Sequence, residues 1–189
     1  MENLERKEQV VARTRDWLER VVLGLNLCPY AHQPFKANSV RFSVFYEGAA
    51  ESLIEKLERE IELLHSSPSG ALETTLIILP EGFDDFFFYL SIIDMADNWL
   101  VKSGWEGHFQ VASFHPDYQF EGTALSDRGN LTNRSPYPML HLLREASLTA
   151  IVDSGADTAS VPERNIERVN GLLDAEVEEL FPHVRPKLF

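Results

Sequence analysis

The chain has 189 residues, 44% of them hydrophobic and 11% aromatic, with 30 acidic against 17 basic side chains and a formal net charge of −13. A length of that order makes one domain and buries roughly 70% of the unfolded surface, so no disulfide or structural metal is needed for folding. A net negative surface without a Lys/Arg run repels phosphate backbones and anionic lipid, which argues against nucleic acid and membrane partners.

Residues 5–26 carry Val10, Thr14, Trp17, Leu18, Val21, Val22 and Leu25 at three- and four-residue spacing, which predicts an amphipathic first helix that stops before Pro29. The residues before it, Met1–Lys7, lack the apolar core of a signal peptide. The single cysteine, Cys28, has no partner for an internal disulfide and agrees with a reducing, cytoplasmic setting. Residues 39–46 alternate Val40, Phe42, Val44 and Tyr46 against Arg41, Ser43 and Phe45, a strand pattern ended by Gly48. A second helix is expected over 50–65, with Leu53, Ile54, Leu57, Ile61 and Leu64 inward, followed by the loop 66–70.

The run 74–79 is apolar and β-branched without interruption, as in a strand covered on both faces. A third helix is expected over 83–102. Asp84, Asp85, Asp94 and Asp97 make this most apolar stretch too polar to cross a bilayer, and Asp94 and Asp97 fit its solvated stripe. A third strand falls at 108–114 and a long polar stretch at 115–134. A fourth helix is expected over 137–151 and a fifth over 161–180, the last opened by Ser160, Pro162 and Glu163 in capping-box spacing. Strands alternating with helices point to α/β architecture: a small, mainly parallel three-stranded sheet packed by about five helices in one domain, 1–180, with a surface tail over 181–189.

Three strings are not explained by packing periodicity: Leu25-Asn26-Leu27-Cys28-Pro29-Tyr30-Ala31, the run from Ser113 to Thr123 with His115 and Tyr118, and the run from Asn130 to Glu145 with Arg134, Ser135, His141 and Arg144. A shorter one is Val161-Pro162-Glu163-Arg164-Asn165. These four, in this order, resemble the bacterial family catalogued as domain of unknown function 1415, over nearly the whole chain to about residue 173. The resemblance implies a one-domain cytosolic protein and no particular activity.

The chemistry therefore rests on residue types. His115 follows the third strand, and ligands in open α/β sheets sit beyond the carboxyl ends of strands. Ser135 and Pro136 read as the N-cap and first position of the fourth helix, with Arg134 beside it as a guanidinium for a carboxylate or phosphate. Arg134 pairing with a local acid is the structural alternative. His141 and Arg144, three apart, would share a face of that helix, and His141 titrates where proton transfer near neutrality needs it. Cys28 has three competing roles: a buried small side chain, a thiolate nucleophile, or a metal ligand with His115 or His141. Arg164 and Asn165 open the fifth helix, where a cation opposes the helix dipole and invites an anion.

The leading expectation is a small-molecule enzyme for an anionic substrate at the C-terminal edge of the sheet. Cys28, His115 and His141 would be its catalytic groups, and Arg134, Ser135, Arg144, Arg164, Asn165 and Tyr118 its binding groups. The alternatives are a non-catalytic protein-binding adaptor, or a metal or haem protein using Cys28 and the histidines. Neither a glycine-rich nucleotide loop nor a Cys-x-x-Cys or His-x-x-x-His spacing is present. The sequence identifies no cofactor and no oligomeric state.

Overall fold

The structure is a computed structural model that describes residues 2–47, 49–155 and 157–184. Its four strands, β1 (Val40–Val44), β2 (Thr74–Ile78), β3 (Phe109–Phe114) and β4 (Met139–Arg144), form one sheet in the order β1-β2-β4-β3. β1 and β2 pair in parallel, while β4 runs antiparallel to both β2 and β3. β1, β2 and β3 thus point the same way, as the alternating pattern predicts, but β4 is inserted between β2 and β3 and makes the sheet mixed. The expected three strands are four.

The fourth strand occupies residues assigned to a helix by sequence. Met139-Leu140-His141-Leu142-Leu143-Arg144 has no β-branched residue, and leucine favours helices. Hydrogen bonding to β2 on one side and β3 on the other overrides that preference. The period of two is still present: Leu140 and Leu142 enter one core, and Met139 enters the other. With apolar residues on both faces, the alternation is invisible in composition. The helix that follows, α5 (Glu145–Asp153), keeps only the second half of the expected span.

Two layers cover the sheet. On one face α3 (Ala50–Ser66) and α4 (Phe86–Lys102) pack Leu53, Leu57, Ile61, Leu64, Tyr89, Ile92 and Ala96 against Ile77, Leu79, Leu140 and Leu142. Glu60 of α3 is buried there. Arg41, Ser43 and Lys56 all bond to it, and together they hold its carboxyl below the usual carboxylate range against the opposing effect of burial. On the other face α1 (Glu2–Trp17) lays Val10 and Trp17 over Leu76, Ile78 and Met139. Its continuation Leu18–Leu23 is π-helical and adds Leu18, Val21 and Val22.

A short α2 (His32–Lys36) leads into β1. The expected helix 161–180 is two helices, α6 (Val161–Asn170) and α7 (Asp174–Leu180). The capping box expected at Ser160 does not form, because the Ser160 hydroxyl donates to the carboxylate of Asp157. Phe181 and Val184, expected in a surface tail, are buried in the core with Val177. Gly48 and residues 185–189 lie outside the described residues.

Candidate functional site

The segment 25–31 is placed by the end of the first helix. Gly24 closes the π-helical turn against the carbonyl of Arg20, where a Cβ would collide with that oxygen. Asn26 then takes a left-handed φ of 53°, a conformation asparagine tolerates better than most residues. The reversal lays Cys28, Pro29, Tyr30 and Ala31 against a cavity of about 400 Å³. Trp17, Leu18 and Val22 line it from the first helix, Val40, Leu76 and Phe114 from the sheet, and Leu148 and Ile151 from α5. That volume is in the range of roughly 300–1,000 Å³ typical of small-molecule sites. Val40 and Thr74 begin β1 and β2, so the cavity lies on the face of the sheet toward the N-terminal ends of these strands, not at their C-terminal edge.

His141 is the cavity's best-defined polar group. Its Nε2 lies 2.8 Å from the Thr74 hydroxyl, which also donates to the carbonyl of Leu142 at 2.5 Å. A hydroxyl has a single proton. Thr74 gives that proton to Leu142 and so accepts from His141, which places the imidazole hydrogen on Nε2 and the lone pair on Nδ1. Nδ1 makes no hydrogen bond among the described residues. The residue borders the cavity, and desolvation by its surroundings pushes the imidazole down to about 4. The ring is therefore neutral at pH 7.

Cys28 borders the same space. Burial pushes its thiol up, and the weaker effect of backbone hydrogen bonds at Tyr30 and Ala31 opposes this. The group is a thiol, not a thiolate, at neutral pH, and a poor nucleophile in that form. Arg144 borders the cavity as well; Nη2 of its guanidinium anchors it to the backbone, while its buried Nε makes no hydrogen bond among the described residues. The guanidinium donates to the carbonyls of Leu64 in the last turn of α3 and of Ser67 and Leu72 beyond it, and lies 5.8 Å from the Phe109 ring centre. His141 and Arg144 do not share a helix face, since both are on β4.

His115 and Arg134 organise the polar segment 115–134 from inside. His115 is fully buried: Nδ1 accepts from the backbone of Asp117 at 3.0 Å, which makes Nε2 the donor to the carbonyl of Phe83 at 3.0 Å. Burial lowers its pKa, and both ring nitrogens are occupied. Arg134 is equally buried and donates to the carbonyls of Tyr118 at 3.1 Å and Leu125 at 2.9 Å. Asn130 completes the scaffold through Phe120, Thr123 and Ala124. No helix starts at Ser135, whose hydroxyl donates to the carbonyl of Tyr137. Among the described residues the Tyr118 hydroxyl bonds only to Ser113, at 3.4 Å.

Arg164 and Asn165 border a second cavity of about 250 Å³ with Leu25, Asn26, Val161 and Arg168, and Pro29 borders both cavities. The Asn165 amide donates to the carbonyl of Leu27 at 2.6 Å and ties α6 to the turn. The polar groups thus divide: Cys28 and His141 share one cavity, Arg164 and Asn165 the other, and His115 and Arg134 neither. Sequence reasoning missed Thr74, Trp17, Asn26 and Arg168. Asn26 stands inside a string already singled out, and Arg168 is one helical turn from Arg164, so both were within reach. Among the described residues no group of three His, Cys, Asp or Glu side chains is placed to hold a metal ion, and no helix is long and apolar enough to cross a membrane.

A family model described as "Protein of unknown function (DUF1415)" matches residues 9–179, and the chain belongs to that family. No curated protein and no solved structure matches it.

Proposed function

From a chain whose family description assigns no activity, we propose that the function is small-molecule binding in the larger cavity, by a mainly apolar ligand that donates a hydrogen bond to Nδ1 of His141. The observation that carries this reading is the Thr74–His141–Leu142 arrangement. It spends the hydroxyl and Nε2 on each other and on the backbone, leaving Nδ1 as the acceptor of a ring that borders a mainly apolar space. A ligand donor that bonds to this nitrogen contributes about 0.5–1.5 kcal/mol.

The electrostatics disfavour an anion in this cavity. Glu73 borders it and offsets the charge of Arg144, whose Nη2 is held by the carbonyls of Leu64, Ser67 and Leu72. The same features weigh against the enzyme expected from sequence. An imidazole held at about 4 is a weak base at pH 7, and the Cys28 thiol is protonated. The reading is therefore a binding protein, with His141 as the orienting group.

The test uses Trp17 as its reporter, because this indole lines the cavity. Phenol, indole and 1-octanol should quench or shift its emission saturably and raise the melting temperature. Toluene and octane, equal in shape but without a donor, should bind roughly tenfold more weakly. Leu148→Trp should fill the space and abolish all of these responses. Absence of saturable binding by every donor probe, or binding unchanged in Leu148→Trp, refutes the reading.

A further inference from the structure

We infer that the second cavity is an oxyanion site, which takes a phosphate or phosphate-monoester group between Arg164, Arg168 and Asn26. The cavity lies where α6 is tied to the turn by the bond from Asn165 to Leu27, and no carboxylate borders it. Its two guanidiniums are four residues apart on one helix, so they stand on the same face about 6 Å apart at Cβ. Like charges at that spacing repel, and the repulsion is relieved when a dianion lies between them.

Arg6, Arg20, Arg41, Arg59 and Arg128 each pair with a carboxylate. Arg168 makes no ion pair or hydrogen bond among the described residues, although acidic side chains outnumber basic ones by 30 to 17. Arg164 donates to the carbonyl of Asp157 at 3.0 Å, which fixes the guanidinium while leaving further N–H groups. The Asp157 carboxylate itself is bonded to Ser160. Asn26 contributes a third donor. Its Oδ1 faces Nε2 of His32 at 3.2 Å, and its amide N–H groups make no hydrogen bond among the described residues. Asp157 lies near enough to Arg164 for the two charges to interact, but no carboxylate lines the cavity, and two cations and an amide there match the charge and donor needs of a phosphate better than those of a carboxylate.

The side-chain amides of Asn26 and Asn165 give the readout by NMR, in titrations with inorganic phosphate, octyl phosphate and acetate at constant ionic strength. Phosphate should shift the Asn26 amide saturably and acetate should not. Arg164→Gln and Arg168→Gln should each weaken the binding roughly tenfold. Both arginines are exposed, so the variants should melt like wild type without phosphate. Octyl phosphate that binds more tightly than inorganic phosphate, and loses only that surplus in Leu148→Trp, identifies an amphiphilic headgroup whose tail passes Pro29 into the larger cavity. Equal binding of the two identifies a free phosphate. A shift that never saturates, or affinity unchanged in Arg168→Gln, overturns the site and leaves the reading of the larger cavity untouched.

Discussion

Acidification should separate wild type from His141→Gln. The imidazole is held at about 4 in the folded chain and titrates near 6.5 when unfolded. A histidine with a depressed folded pKa contributes stability that is fully present above the unfolded value and is lost as pH falls toward the folded one. At pH 5 the unfolded ring is almost entirely protonated and the folded ring only about a tenth, a difference worth about 2 kcal/mol. Glutamine does not titrate, and its amide can still donate to Thr74 as Nε2 does. Urea denaturation at pH 7, 6 and 5 should therefore show wild type losing about 2 kcal/mol more than His141→Gln between the extremes. His183, also held at about 4, and His115, lowered by burial, add acid sensitivity of the same sign to both proteins and cancel in the comparison. Parallel loss in the two proteins would refute the neutral, desolvated His141 on which the proposed ligand contact depends.

Arg134→Met removes the buried donor to Tyr118 and Leu125, and should cost about 3 kcal/mol in urea denaturation and speed amide exchange across 115–134. Arg134→Lys should not restore this, because an ammonium lacks the fork that spans two carbonyls. Cys28 should react with a thiol reagent at pH 7.5 at least roughly tenfold more slowly in the folded protein than in urea, as a thiol whose pKa is raised by burial.

Much of the framework was legible because local pattern and tertiary demand agree. The apolar run at 74–79 is a central strand buried along its length, and the spacing over 50–65 is the buried stripe of α3. Agreement fails where an element is defined by its neighbours. Met139–Arg144 is a strand because two strands flank it, and no property of six consecutive residues announces that. The polar segment 115–134 reads as a site from its composition, yet His115, Asn130 and Arg134 spend their hydrogen bonds within the segment or on its supports. An internal scaffold and an open site use the same residue types.

The sequence by itself determined the class of the protein: an acidic α/β chain with one cysteine, three strands of common direction and helices between them. These follow from hydrophobic periodicity and charge, which are local or additive quantities. The tertiary structure alone decided that Cys28 and His141 border one space while Arg164 borders another. It also decided that Thr74, far off in the chain, chooses which nitrogen of His141 keeps its lone pair. Such pairings depend on register and on which face each side chain takes, and a one-residue shift in β4 would have turned His141 into the opposite core.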